Sequence, residues 1–190
     1  MKKSIFAVLI IVLLVGGTYL LGQGNENTTG REFPSEAGVI QITGLVERPY
    51  NITYDELTAL PSRNVTAVLY CVDNANRPRK NGTWTGVPLK LLIERVRPRE
   101  DAFKVALYAS DGYTTDLFTQ WAMEDDDIIV AYAFNGEPIT PRLVVPGRWG
   151  YKWIKYLTKI ELVNYNFMGT WESAGYPDDA LIPDGSSPGR

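Results

Sequence analysis

The chain has 190 residues and one cysteine, Cys71, which stands at the end of an apolar run, and this pairing of position and chemistry is the strongest constraint the sequence carries. Val65, Ala67 and Leu69 alternate with Thr66, Val68 and Tyr70, the period-two pattern of a strand. Asp73-Asn74 followed by Arg77-Pro78 marks its end. Cys71 is therefore expected where a strand opens into a polar loop. A thiol at such an edge, near cations, serves as a soft metal ligand or nucleophile, and the competing reading is a small core hydrophobe. One cysteine excludes an intramolecular disulfide, so stability must come from the core.

The first residues are of another kind. Met1-Lys2-Lys3 precede an uncharged run from Ser4 to Gln23, apolar from Ile5 to Leu21, which reads as a signal peptide or N-terminal membrane anchor over residues 1–23. As a helix the apolar part would reach about 26 Å, and no small-x-small cleavage pattern or lipobox follows it; an uncleaved anchor is the first reading and a cleaved signal the second. Either places the remainder outside the cytoplasm, anchored or secreted. Asn-x-Thr triplets at Asn27, Asn51, Asn64 and Asn81 agree with export in hosts that glycosylate. Residues 24–38 are polar and lack periodicity, as a linker does. Residues 39–176 are then one domain, and 177–190 a polar tail. With 45% hydrophobic residues the domain is expected to pack a full core, and a net charge of −3 offers no reason to expect nucleic acid as a partner.

Within the domain, Val39 to Val46 reads as a strand, and Thr53-Tyr54-Asp55-Glu56 carries capping-box spacing for a short helix that Pro61 ends. Pro88 suits the first turn of a helix through Leu91, Leu92 and Ile93, stopped by Arg97-Pro98. Phe103 to Tyr108 is a further strand closed by Asp111-Gly112, followed by a brief helix around Leu117 to Met123. Ile129 to Phe134 is an apolar strand that Asn135-Gly136 turns back toward Leu143 to Val145, and Lys159 to Val163 is the last strand. From Asn164 onward Gly, Pro and Asp dominate, with isolated Phe167, Trp171 and Tyr176, which suits a strap packed on the domain. Strands at short spacing with brief helices predict an α+β domain with mixed sheets and short helices.

Two segments carry a resemblance. Tyr70-Cys71-Val72, the polar loop, and Trp84-Thr85-Gly86-Val87-Pro88-Leu89 are similar to the molybdenum-binding segment of the sulfite oxidase family. Arg142-Leu143-Val144-Val145-Pro146 followed by Trp149-Gly150-Tyr151-Lys152-Trp153-Ile154-Lys155-Tyr156-Leu157 resembles that family's arginine, hydrophobic strand, proline and Gly-aromatic-Lys turn. Ordered motifs about seventy residues apart are more specific than either alone. The resemblance spans about Val39 to Tyr176 and implies a sulfite-oxidase-type molybdopterin-binding fold without the second, immunoglobulin-like domain of larger members.

The resemblance further implies that Cys71 is the thiolate ligand of molybdenum, and that Arg142, Lys152, Trp153 and Lys155 bind the molybdopterin, the cations meeting its phosphate. Each has a plainer reading: Arg142 as an edge-strand arginine, Lys152 and Lys155 as members of a solvated basic face, and Trp153, with Trp84 and Trp149, as core. Asp73 and Arg77 are expected as an Asx turn and a surface arginine, and Glu124 to Asp127 as a solvated connection. Two function classes follow. One is an extracytoplasmic molybdopterin-dependent oxidoreductase performing two-electron oxygen-atom transfer on a small-molecule substrate, with a membrane or soluble electron-transfer partner. The other is a cofactor-free ligand- or protein-binding module of the same fold, consistent with a chain that has no histidine and a shortened segment, Asn135 to Pro141, before Arg142.

Overall fold

Period-two runs become the strands of two sheets in the computed structural model, which describes residues 38–72 and 78–183. The predicted signal or anchor over 1–23, the linker up to residue 37, Asp73 to Arg77, and the tail from 184 lie outside the described residues. Among those described, no helix is long and apolar enough to cross a membrane. The strands are β1 (Val39–Gly44), β2 (Tyr50–Thr53), β3 (Arg63–Tyr70), β4 (Pro78–Pro88), β5 (Lys104–Ala109), β6 (Thr114–Phe118), β7 (Ile129–Phe134), β8 (Glu137–Val144) and β9 (Leu157–Val163). The helices are short: α1 (Tyr54–Ala59), α2 (Leu89–Val96), α3 (Thr119–Glu124) and α4 (Thr170–Ser173), with a 3-10 turn at Gly150–Lys152.

One sheet is mixed, in the order β2-β1-β9-β5-β6, with β1 and β9 parallel and the other pairs antiparallel. The second, β3-β4-β7-β8, is antiparallel throughout. The expected α+β class with mixed sheets and short helices is what the chain forms. Ile40, Ile42, Leu107, Ile160 and Leu162 from the mixed sheet and Val65, Trp84, Val87, Val130 and Leu143 from the antiparallel sheet belong to one buried core. Helix α2 contributes Leu89, Leu92, Ile93 and Val96, a helical spacing that puts all four on one buried face. Burying each such side chain fully is worth roughly 1.5–3 kcal/mol before the chain-ordering cost is subtracted.

Three segments depart from the sequence reading. Strand β4, eleven residues long, falls where the sequence reads as a loop leading into the tryptophan motif. Its prolines stand at the two ends, where a missing N–H is tolerated, and Gly86 sits at a register shift against β7 where a Cβ would be 2.4 Å from the Val130 carbonyl oxygen. The helix expected around Leu117 to Met123 starts at Thr119, because Thr114 to Phe118 pairs with β5 as β6. Finally, residues 177–183 of the predicted polar tail pack on the domain. Ala180 and Ile182 are buried, the Trp149 amide donates to the Ala180 carbonyl at 2.8 Å, and the Ile182 amide to the Gly147 carbonyl at 3.1 Å.

Candidate functional site

Strand β3 keeps its alternation to its end. Val65 and Ala67 are buried, Leu69 is half-buried against the core, and the half-buried Cys71 continues the same period-two row onto a cavity of about 290 Å³ that Leu69 also lines. The register shift at this end lies in the facing strand, where Tyr70 pairs with Pro78 and Arg79 is skipped.

The opposite wall is built by the segment after β8. The Leu143 amide donates to the Ile154 carbonyl at 2.9 Å and Arg142 forms an isolated bridge with Lys155, so residues 153–155 run back alongside β8. Between them the Gly150–Lys152 turn comes up against the end of β3: a Cβ on Gly150 would lie 2.7 Å from the Tyr70 carbonyl oxygen. Only the missing side chain permits that approach. Cys71 is thereby joined at the cavity by Tyr151, Trp153 and Lys155.

Of the residues singled out in the sequence, the structure brings Cys71, Trp153 and Lys155 to one concavity. Trp153 is 2% exposed, its ring edge-on to Trp84 at 5.7 Å and its indole N–H donating to the Arg148 carbonyl at 3.1 Å, so it is both core and cavity wall. Trp84 is core alone, fully buried against Phe134 with its N–H on the Ala67 carbonyl.

Arg142 lies one layer behind. It is buried, donates through one terminal nitrogen to the Trp153 carbonyl at 2.8 Å, and stacks its guanidinium 5.0 Å from the centre of the Trp84 ring. Its Nε is buried without a hydrogen-bond partner, and among the described residues no carboxylate pairs with it. Burial lowers its pKa to about 10, with the Tyr156 hydroxyl acting in the opposite sense, and the group remains a cation at neutral pH.

Lys152, which the resemblance implies meets a cofactor phosphate, is fully buried and is not part of the cavity lining; its ammonium meets Glu172 at 2.7 Å, Asp178 at 3.2 Å and Asp116 at 3.3 Å. An ammonium in a water-excluded site needs carboxylate partners, and here the fold supplies three.

The cavity also has walls that the sequence did not announce. Arg79 at the start of β4 faces it, as do Asp111 and Tyr113 from the β5–β6 hairpin and Trp171 from α4. The Asp111 carboxylate accepts from the Tyr113 amide at 3.1 Å and shapes the turn, while the Tyr113 hydroxyl donates to the Tyr151 carbonyl at 2.6 Å. Burial pushes the Tyr113 and Tyr151 hydroxyls well above the ordinary tyrosine range, so both stay protonated donors. Arg79 was hidden because Pro78 and Gly82 argue against a strand. Trp171 did carry a signal, as an isolated aromatic in a polar segment.

The cavity therefore combines a thiol, two cations (Arg79 and Lys155) and a rim of Trp153, Tyr113 and Trp171. A thiolate is a soft metal donor, and cations at a cavity suit an anionic group, so this donor set fits a molybdenum dithiolene bearing phosphate.

Comparison with known proteins agrees with this chemistry. Residues 33–171 match the family described as oxidoreductase molybdopterin binding domain. The chain is 32% identical over 143 residues to the uncharacterized oxidoreductase YuiH of Bacillus subtilis, covering 72% of this chain and 71% of that protein. It is 28% identical over 179 residues to an NADH nitrate reductase of Solanum lycopersicum, covering 76% of this chain and only 19% of the larger enzyme. In structure it is similar to the sulfane dehydrogenase SoxCD of Paracoccus pantotrophus, with a TM-score of 0.65 and 22% identity over 70% of this chain and 40% of that one, a likeness of fold. The chain belongs to the family of molybdopterin-binding oxidoreductase domains, whose sulfite-oxidase-type fold and molybdenum cofactor are those its cysteine segment implies.

Proposed function

We propose that this protein is a molybdopterin-dependent oxidoreductase that acts outside the cytoplasm on a small-molecule substrate. The observation that carries the reading is the convergence of Cys71 with Lys155, Arg79 and Trp153 on one cavity, from segments as far apart as residues 71 and 155. A thiol and two cations line one cavity in which, among the described residues, Asp111 is the one carboxylate, which leaves a positive charge there for an anion to offset.

When bound, the cofactor supplies two-electron oxygen-atom transfer between the metal and a small substrate. The protein's own residues bind and orient. Cys71 would provide the thiolate ligand. Lys155 and Arg79 offset the negative charge of the cofactor's phosphate, and the buried Arg142 adds a fixed positive field behind Trp153. Trp153, Tyr113 and Trp171 wall the site and exclude water. An electron-transfer partner, membrane-bound or soluble, would complete the reading. The location rests on Met1-Lys2-Lys3 and the uncharged run to Gln23.

The test is metal analysis of the full chain purified from a host that makes the cofactor, beside Cys71→Ser. The expected result is about one molybdenum per wild-type chain and almost none in a variant of unchanged thermal stability, since serine is a harder and far less acidic ligand. Equal molybdenum in both would remove Cys71 as ligand, and none in either would sink the cofactor reading.

A further inference from the structure

Five charged side chains meet behind the cavity wall, almost out of reach of solvent. Lys104 of β5, Asp116 of β6 and Lys152 of the 3-10 turn are fully buried, and Glu172 of α4 is 2% exposed. Lys104 Nζ lies 2.5 Å from Asp116 and 2.6 Å from Asp178, and Lys152 Nζ lies 3.3 Å and 3.2 Å from the same two carboxylates. The two lysines and two aspartates thus close a ring. Glu172 joins it from outside, its Oε1 2.7 Å from Lys152 Nζ and accepting from the Thr115 hydroxyl at 2.7 Å. Gly169 makes room for it, since a Cβ there would lie 2.6 Å from the other Glu172 oxygen.

Stability alone is a weak reason for such a cluster, because apolar side chains of the same volume often serve as well. What an ion ring does is admit one arrangement of the elements that carry it, and here three of the five ions stand close in sequence to a cavity wall. Lys152 lies between Tyr151 and Trp153, Glu172 follows Trp171, and Asp116 is on the strand that Tyr113 leads into. Two of the carboxylates come from beyond β9. Side-chain donors on and just before the turn hold carbonyls of the same segment: the Tyr151 hydroxyl donates to the Pro177 carbonyl at 2.5 Å, and the Arg148 guanidinium to the Asp179 carbonyl.

We propose that the cluster is a latch that positions the cavity wall: Glu172 and Asp178 hold residues 170–180 against the Gly150–Lys152 turn and so keep Trp171, Tyr151 and Trp153 around Cys71. These are positioning residues, since none of the five lines the cavity. The latch deepens the cofactor-site reading and relies on it only for what fills the cavity. Asp178 is its joint. It is the one member with appreciable side-chain exposure, 22%, and its removal leaves Asp116 and Glu172 facing Lys104 and Lys152, two charges against two. Asp178→Asn therefore opens the latch without stranding a buried ammonium.

The experiment is alkylation of Cys71 by iodoacetamide in full-length protein prepared without cofactor. In Asp178→Asn the rate is expected to rise by at least about tenfold while thermal stability and circular dichroism change little, because a locally opened segment admits reagent that the closed one excludes. Asp178→Glu, which keeps the charge, should recover much of the protection. An unchanged rate, or a rise no larger than the increase in global unfolding, would overturn the latch. Should the variant fail to fold, hydrogen exchange of the wild type decides: the amides of Lys152 and Trp153 on the turn and of Ala174 and Tyr176 on the segment should exchange together. Segment amides exchanging orders of magnitude faster than turn amides would overturn the proposal. Neither readout needs molybdenum, so a protein that takes up no metal would sink the cofactor reading while the latch is still decided.

Discussion

A Cβ at position 150 would meet the Tyr70 carbonyl oxygen at 2.7 Å and the Leu69 side chain at 3.3 Å. Because the nearer atom is backbone, it cannot swing aside as a flexible side chain would. Gly150→Ala must then push the 3-10 turn away from the end of β3, at a cost of about 1–3 kcal/mol of the kind that overpacking produces. The displaced turn carries Tyr151 and Trp153, so cofactor loading should fall by more than the stability loss alone explains. Thermal melts and metal content of the variant check this; full loading at reduced stability would show that the turn's position is not what matters. Lys152 illustrates the other residue-scale lesson. Its place in the motif is the same whether it meets a phosphate or a carboxylate, and the choice was made by Asp116, Glu172 and Asp178, which arrive from elsewhere in the chain.

At the scale of elements, α1 shows a local signal realised in full. The Thr53 hydroxyl accepts from the Glu56 amide at 3.2 Å, and the Glu56 carboxylate accepts from the Thr53 amide at 2.8 Å, so both arms of the capping box form. Thr53→Ala should cost about 1 kcal/mol, as loss of an N-cap typically does. The Thr53 amide, followed by its hydroxyl, holds the Glu56 carboxyl below its ordinary value of 4.5. A carboxylate with a depressed folded pKa contributes stability above its unfolded pKa and loses it as pH falls through the folded one. The wild type should therefore lose part of its advantage over Thr53→Ala as pH drops below about 4.5. Denaturant midpoints of both proteins at neutral and acid pH test this; a gap that stays constant or widens in acid would refute it. Strand β4 makes the opposite point. Gly82 and Gly86 weaken its local preference, and it is held as a strand by pairing with β3 on one side and β7 on the other.

At the scale of the whole molecule, the cavity is assembled from both sheets and from the segment beyond them. Strand β3 brings Cys71, the return after β8 brings Trp153 and Lys155, the β5–β6 hairpin brings Tyr113, and α4 brings Trp171. The proposed location is also a property of the whole chain. If residues 1–23 hold the domain at the outer face of a membrane, protease added to intact cells should cut within residues 24–38 and release the folded domain, because polar sequence without hydrophobic periodicity is where proteolytic cuts concentrate. Cleavage seen only after lysis would place the domain inside.

Much of this was legible in one dimension. The α+β class, the helix caps and the positions of most strands follow from period and turn chemistry, which act between residues a few places apart. The cysteine segment and the Gly-aromatic-Lys turn could likewise be read as a cofactor site, because each motif is contiguous. What the order of residues could not express is which side chains share a space. The arrival of Arg79 and Trp171 at the cavity beside Cys71, the burial of Arg142 behind Trp153, and the capture of Lys152 by two carboxylates from beyond β9 all depend on long-range packing. Desolvation is the physical reason. A buried charge takes the partners that the folded chain places around it, and those partners are neighbours only after the sheets have closed.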